Sequence, residues 1–206
     1  TQIPLAGPAN RMGRMVADII CGKDKHYKGS LGSSIVRVFK VRAASTGKNE
    51  KQLKQMGVDY RSIHLYPANH ATYYPGASQI SLKVLYAPED GKLYGAQAVG
   101  QDMGIDKTID VIATAIAGGM SVYDLTDVEL CYAPPFNTAK SAVNYAGYIA
   151  ENLRDGEAYF GREEPHYERG QREGDRADRK DHGADYQTHQ AQLQDPRAAL
   201  RQVDEA

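Results

Sequence analysis

The sequence predicts an α+β fold: a largely antiparallel sheet with flanking helices, followed by a disordered C-terminal tail. Three observations lead there. Strand-like segments are grouped in the first half of the chain, with helices around and after them, instead of alternating strand by helix as parallel sheets require. Residues 80–86 and 93–99 alternate apolar and polar positions on either side of Pro88-Glu89-Asp90-Gly91, the pattern of a β-hairpin closed by an Asp-Gly turn. From Thr138 onward, Ala139, Ala142, Val143, Ala146, Ile149, Ala150 and Leu153 recur at helical spacing.

Taken in order, the chain opens with a turn at Gly7-Pro8 and a helix capped by Asn10, whose apolar positions are Met12, Met15, Val16, Ile19 and Ile20. Arg11 and Arg14 then fall in its first turn. Cations there oppose the helix dipole, so they are either a solvated pair or they face an anionic or carbonyl-rich partner. After a turn at residues 29–33, the apolar residues Ile35, Val36, Val38, Phe39 and Val41 read as one strand. Residues 50–56 form a short helix stopped by Gly57, and residues 60–66 alternate Ile63 and Leu65 against Ser62 and His64 up to Pro67. A helix over residues 105–117 ends at Gly118 and Gly119.

Residues 131–153 organise the rest. Pro134 and Pro135 lack backbone donors and disfavour helix before them, which predicts an extended, stiff strut holding Tyr132 in a fixed place. Asn137 or Thr138 is the expected N-cap of the helix that follows. Ala139, Ala142, Ala146 and Gly147 give it a small-residue face, suited to a core or to close approach by a second subunit.

Composition sets bounds. At 206 residues, 41% apolar and a formal charge of −1, the chain has material for one sizeable core in a soluble globular protein. It has no basic stripe, so no nucleic-acid partner is expected, and no apolar run long enough to span a membrane. Residues 1–5 lack a signal-peptide pattern, and Cys21 and Cys131 are far apart with no C-x-x-C pairing, which predicts a reducing, cytoplasmic setting. A start without Met predicts a fragment. Residues 157–206 are dense in Arg, Asp, Glu, Gln and Gly, and too poor in large apolar residues to offset the entropy of ordering. The histidines do not fall at metal-ligand spacing with Cys, Asp or Glu, so no metal is expected. No G-x-G-x-x-G follows any strand, so the chain alone is expected to bind neither FAD nor a nicotinamide.

Two separated motifs add a family resemblance. Residues 130–152, LCYAPPFNTAKSAVNYAGYIAEN, resemble the end of the dimerisation domain of the pyridine nucleotide-disulfide oxidoreductases, in the coenzyme A-disulfide reductase and NADH oxidase branch. Residues 3–20, IPLAGPANRMGRMVADII, resemble the last piece of that branch's FAD-binding domain. The resemblance implies an FAD-domain remnant at 1–28, a dimerisation domain at 29–156, and a tail at 157–206 outside it. For the full-length protein it implies FAD and NAD(P)H as cofactors, a homodimer, and coenzyme A disulfide, a related small disulfide or polysulfide, or dioxygen as acceptor. A free-standing binding module reusing the fold is the alternative.

The resemblance also implies residue roles. The glutathione, lipoamide and trypanothione enzymes place a His-Glu pair where this chain has Tyr132-Ala133-Pro134-Pro135-Phe136, which argues against that branch. In the coenzyme A branch two tyrosines reach the partner's active site, one in a YYPG turn and one before APPF. Both motifs are present, so Tyr74 and Tyr132 are the expected catalytic residues, stabilising a departing thiolate in trans. Arg11 and Arg14 are the expected cofactor-facing residues. On the residues alone, in a chain with fourteen tyrosines, these two read as half-buried structural side chains, and it is the motif context that favours a functional role.

Overall fold

Five strands pair antiparallel in the spatial order β1-β2-β5-β4-β3, in a computed structural model that describes residues 3–101 and 103–158. The strands are β1 (Ser34–Val38), β2 (Val41–Gly47), β3 (Arg61–Leu65), β4 (Ile80–Tyr86) and β5 (Leu93–Gly100). The helices are α1 (Ala6–Ile20), α2 (Glu50–Met56), α3 (Ile105–Gly118) and α4 (Ala142–Arg154), with a 3-10 turn at Tyr123–Asp127. The α+β class and the antiparallel sheet are as the sequence predicts. The expected disorder of residues 157–206 falls almost wholly outside the described residues.

Period-2 patterning explains which sheet face is covered. Ile63 and Leu65 of β3, Ile80, Leu82 and Val84 of β4, and Ala96 and Ala98 of β5 are all buried in one cluster with Ile105, Ile109 and Ile112 of α3 and Val143 and Ala146 of α4. Removing each large side chain of this set from water is worth about 1.5–3 kcal/mol, so sheet and helices hold one another. On the other face α2 docks through Leu53, with an ion pair from Lys83 of β4 to Glu50 at its start.

Four expectations are corrected. Residues 34–47 are a hairpin and not a single strand: Val38 pairs with Val41 across a two-residue turn in which Phe39 adopts φ 54°. The turn lacks the Asn-Gly chemistry that announces such hairpins, which is why it read as continuous. In α1, Gly7 and Pro8 belong to the first turn and Asn10 lies inside the helix, donating to the Ala6 carbonyl at 3.0 Å. Proline is tolerated there because the first N–H groups have no intrahelical acceptor. Arg11 and Arg14 therefore sit beyond the first turn, and the dipole argument applied to them lapses.

The proline segment is a turn and not an extended strut: the Ala133 carbonyl accepts from Phe136 N at 2.9 Å and Asn137 N at 3.2 Å. The fixed φ of proline suits a turn as well as a strand. Finally, α4 starts at Ala142 and its cap is Ser141. Ser141 and Asn144 form a reciprocal capping box, and Asn144 Nδ2 donates onward to the carbonyls of Leu125, Thr126 and Val128 at 3.0, 3.3 and 2.9 Å. The small face of α4 is consumed inside the chain. A Cβ on Gly147 would meet Thr126 N at 2.7 Å, so this helix packs against its own 3-10 turn and that face is closed to a second subunit.

Candidate functional site

Two loops meet beyond one end of the sheet. The first joins β3 to β4 and carries Tyr73-Tyr74-Pro75-Gly76; it is closed on itself by Asn69 N to Ser78 O at 2.9 Å and Ser78 N to Asn69 Oδ1 at 2.8 Å. The second leads into α4 and carries Tyr132. They are joined by one backbone donor, since Ala71 N–H is shared between the carbonyls of Pro134 at 3.2 Å and Asn137 at 3.0 Å. A donor forked between two carbonyls of a proline turn leaves the loops little freedom to move apart.

Side chains reinforce the junction. Asn137 is buried; its Nδ2 donates to the Cys131 carbonyl at 3.2 Å and its Oδ1 accepts from Thr138 N at 2.9 Å, closing the loop around the residue before Tyr132. Lys107 of α3 adds a longer bond to the same carbonyl, at 3.4 Å. The four aromatic groups of this end are open to solvent, with Tyr73 75%, Tyr74 43%, Tyr132 49% and Phe136 66% exposed.

Tyr74 and Tyr132 are thus placed on adjoining loops, but the hydroxyl within reach of Tyr132 belongs to Tyr73, at 3.4 Å. That contact holds the Tyr73 phenol above its ordinary pKa, because a neighbouring phenol stabilises its protonated form. The Tyr74 ring instead stands edge-on to His70, centroids 5.8 Å apart and planes at 81°. His70 is 6% exposed, and its Nδ1–H donates to the Ala71 carbonyl at 3.1 Å. Sequence reasoning missed Tyr73 and His70. The doubled tyrosine was the available signal for the first, whereas nothing local marks His70, which matters only because the fold brings its loop against the YAPPF segment.

Arg11 and Arg14 are exposed on α1, and the structure brings neither to the tyrosines. No residue of α1 is buried, and its apolar stripe of Met12, Val16, Ile19 and Ile20 is bare. Cys21 and Cys131 are both free thiols on the surface. Among the described residues, no group of three or more His, Cys, Asp or Glu is placed to hold a metal ion, and no helix is long and apolar enough to cross a membrane. A groove of about 540 Å³ along α3 is lined by Asp106, Lys107, Val111 and Met120 and contains none of the tyrosines.

Comparison with known proteins places this geometry in context. The family model described as "Pyridine nucleotide-disulphide oxidoreductase, dimerisation domain" matches residues 33–143. The chain is 39% identical over 150 residues to a coenzyme A disulfide reductase of Staphylococcus aureus (strain bovine RF122 / ET3-1), covering 72% of this chain and 34% of that protein. The chain therefore spans about a third of the length of the curated relatives it matches. Among solved structures, reduced Bacillus anthracis CoADR-RHD superimposes with a TM-score of 0.73 at 52% identity, over 76% of this chain and 28% of that one. A NAD-dependent persulfide reductase from A. fulgidus superimposes with a TM-score of 0.72 at 36% identity, over 76% and 29%.

Proposed function

The chain belongs to the pyridine nucleotide-disulphide oxidoreductase dimerisation-domain family, and from that premise we propose that it pairs subunits and completes the partner's active site in an FAD-dependent NAD(P)H:disulfide oxidoreductase. The acceptor is coenzyme A disulfide or a related small disulfide. Residues 1–28 are the end of the FAD-binding domain, residues 29–156 the dimerisation domain, and residues 157–206 a charged tail. The bare stripe of α1 supports the first assignment, since an unburied amphipathic helix is one cut off from its packing partner.

One observation carries the catalytic part. The loops bearing Tyr74 and Tyr132 are pinned together at Ala71 N–H, yet both phenols face solvent, an arrangement that fixes hydroxyls for a reactant brought from outside. A phenol donates one hydrogen bond and suits a sulfur acquiring negative charge. Tyr74 and Tyr132 therefore stabilise the thiolate released when the redox cysteine that the resemblance implies in the rest of the full-length protein attacks the disulfide and forms a mixed disulfide with its other half. FAD and NAD(P)H supply the electrons. This chain's own contribution to the flavin side is confined to Arg11 and Arg14, which are exposed and have no ion pair among the described residues.

The test is a hybrid in which residues 1–156 replace the matching segment of the S. aureus relative. Tyr74→Phe or Tyr132→Phe removes a hydroxyl and keeps the ring. A lost hydrogen bond to a charged group is worth about 1.5–3 kcal/mol, so reoxidation of the reduced flavoprotein by coenzyme A disulfide should slow about ten- to a hundredfold. Reduction of the flavin by NAD(P)H should be unchanged. Arg11→Ala with Arg14→Ala should weaken FAD retention without altering the disulfide half-reaction. Undiminished disulfide turnover in the double Phe hybrid, with flavin and dimer intact, overturns the catalytic reading. The 36% identity to a persulfide reductase favours a second acceptor class, and faster turnover with persulfide than with coenzyme A disulfide would select it.

A further inference from the structure

We infer that His70 is a positioning residue for Tyr74, an inference that rests on the catalytic reading of Tyr74 above. Its burial and the contacts around it place it in that role. The imidazole is buried behind the exposed YYPG turn, where a histidine serves nothing that solvent could reach. Its Nδ1–H is engaged by the Ala71 carbonyl at 3.1 Å, which sets the ring's orientation and leaves Nε2 as the unprotonated nitrogen in the neutral side chain. The same Ala71 carbonyl accepts from Tyr74 N at 3.0 Å, and Ala71 N–H binds the Tyr132 loop. The ring thus stands on the backbone junction of the two loops and presents itself at 81° to the Tyr74 ring.

The physical consequence is a Tyr74 side chain restricted on one side by a ring that is itself restrained. An edge-on aromatic contact prefers one relative orientation, so the phenol direction is set before a reactant arrives. Gly76 lies next to this ring: a Cβ there would stand 4.0 Å from His70 Nε2, an ordinary contact, and it is its φ of 89° that favours glycine. His70 touches no reactant in this arrangement. It acts through Tyr74.

Two substitutions separate the ring from its hydrogen bond. His70→Asn keeps a donor near the Nδ1 position and removes the aromatic edge; His70→Phe keeps the edge and removes the donor. In the full 206-residue chain labelled with ring-13C tyrosine, Tyr74 is assigned from the line lost in Tyr74→Phe. His70→Asn should move that line to the position of a solvent-exposed tyrosine while melting and the other tyrosine lines stay in place. His70→Phe should leave it displaced. In the hybrid enzyme His70→Asn should lower kcat for disulfide about ten- to a hundredfold with little change in KM, and His70→Phe should restore most of it. An unmoved Tyr74 line in His70→Asn overturns the inference, as does an equal loss in both variants. If Tyr74→Phe itself leaves turnover intact, the catalytic reading fails, while the spectrum still decides whether His70 holds the ring.

Discussion

His64 stands on the sheet face opposite the core, cross-strand from Lys83, whose ammonium pairs with Glu50. His64 is exposed at its surface, but partial desolvation of its ring pushes its pKa below the ordinary value, Lys83 pushes it further, and Glu50 partly offsets both, so the effect on stability is small. The unfolded chain therefore takes up this proton first, so stability is present above about pH 6.5 and is lost as pH falls toward the depressed folded value. Glu50, held low chiefly by its hydrogen bond from Lys83, has the same sign at lower pH, with loss below the ordinary carboxylate range. Thermal midpoints should decline from pH 7.5 to 5.5, and His64→Asn should flatten that step while leaving the steeper acid decline. A parallel decline in the variant would remove His64 as its source. At this scale the tyrosine motifs were legible because they are contiguous in sequence. The Tyr73–Tyr132 contact and the His70 ring were not, because each depends on bringing residues 70–74 against residues 131–137.

Among the elements, α4 shows what local reading captures and what it loses. Its apolar period was visible, but its start was placed early because Asn137 and Thr138 look like caps as much as Ser141 does. The decision belongs to Asn144, whose amide closes the capping box and also binds three carbonyls from residues 125–128. Asn144→Ala should cost about 1–3 kcal/mol in urea unfolding, because buried carbonyls lose their donor. Gly147→Ala should cost a similar amount through backbone contact with Thr126, although alanine is the better helix former. The β1–β2 hairpin works the other way. Phe39 holds a left-handed φ of 54° while 92% exposed, so Phe39→Gly should stabilise the chain by about 1 kcal/mol. No change or a loss would mean that the Phe39 side chain has a packing role within the chain.

For the whole molecule, the closed small face of α4 moves the question of pairing to surfaces that remain bare: the β1–β2 hairpin, with Ile35, Val36, Val38 and Phe39 exposed, and the tyrosine end. The proposed pairing of two copies would cover this apolar exposure, and under that proposal two-fold symmetry would set each chain's tyrosines equally against the other's reactive centre. Contribution in trans can be separated from contribution in cis by subunit mixing. One hybrid carries Tyr74→Phe and Tyr132→Phe and keeps the redox cysteine that the family resemblance implies in the relative's own N-terminal segment; the other keeps both tyrosines and has that cysteine replaced by serine. Each alone should be nearly inactive toward disulfide. Unfolded together and refolded, random pairing makes half of the dimers mixed, and each mixed dimer holds one site with both the cysteine and the opposite chain's tyrosines. About a quarter of the parental activity should return. If the tyrosines served their own subunit's site, no mixed dimer would contain a complete site, and activity would stay at the level of the separate variants.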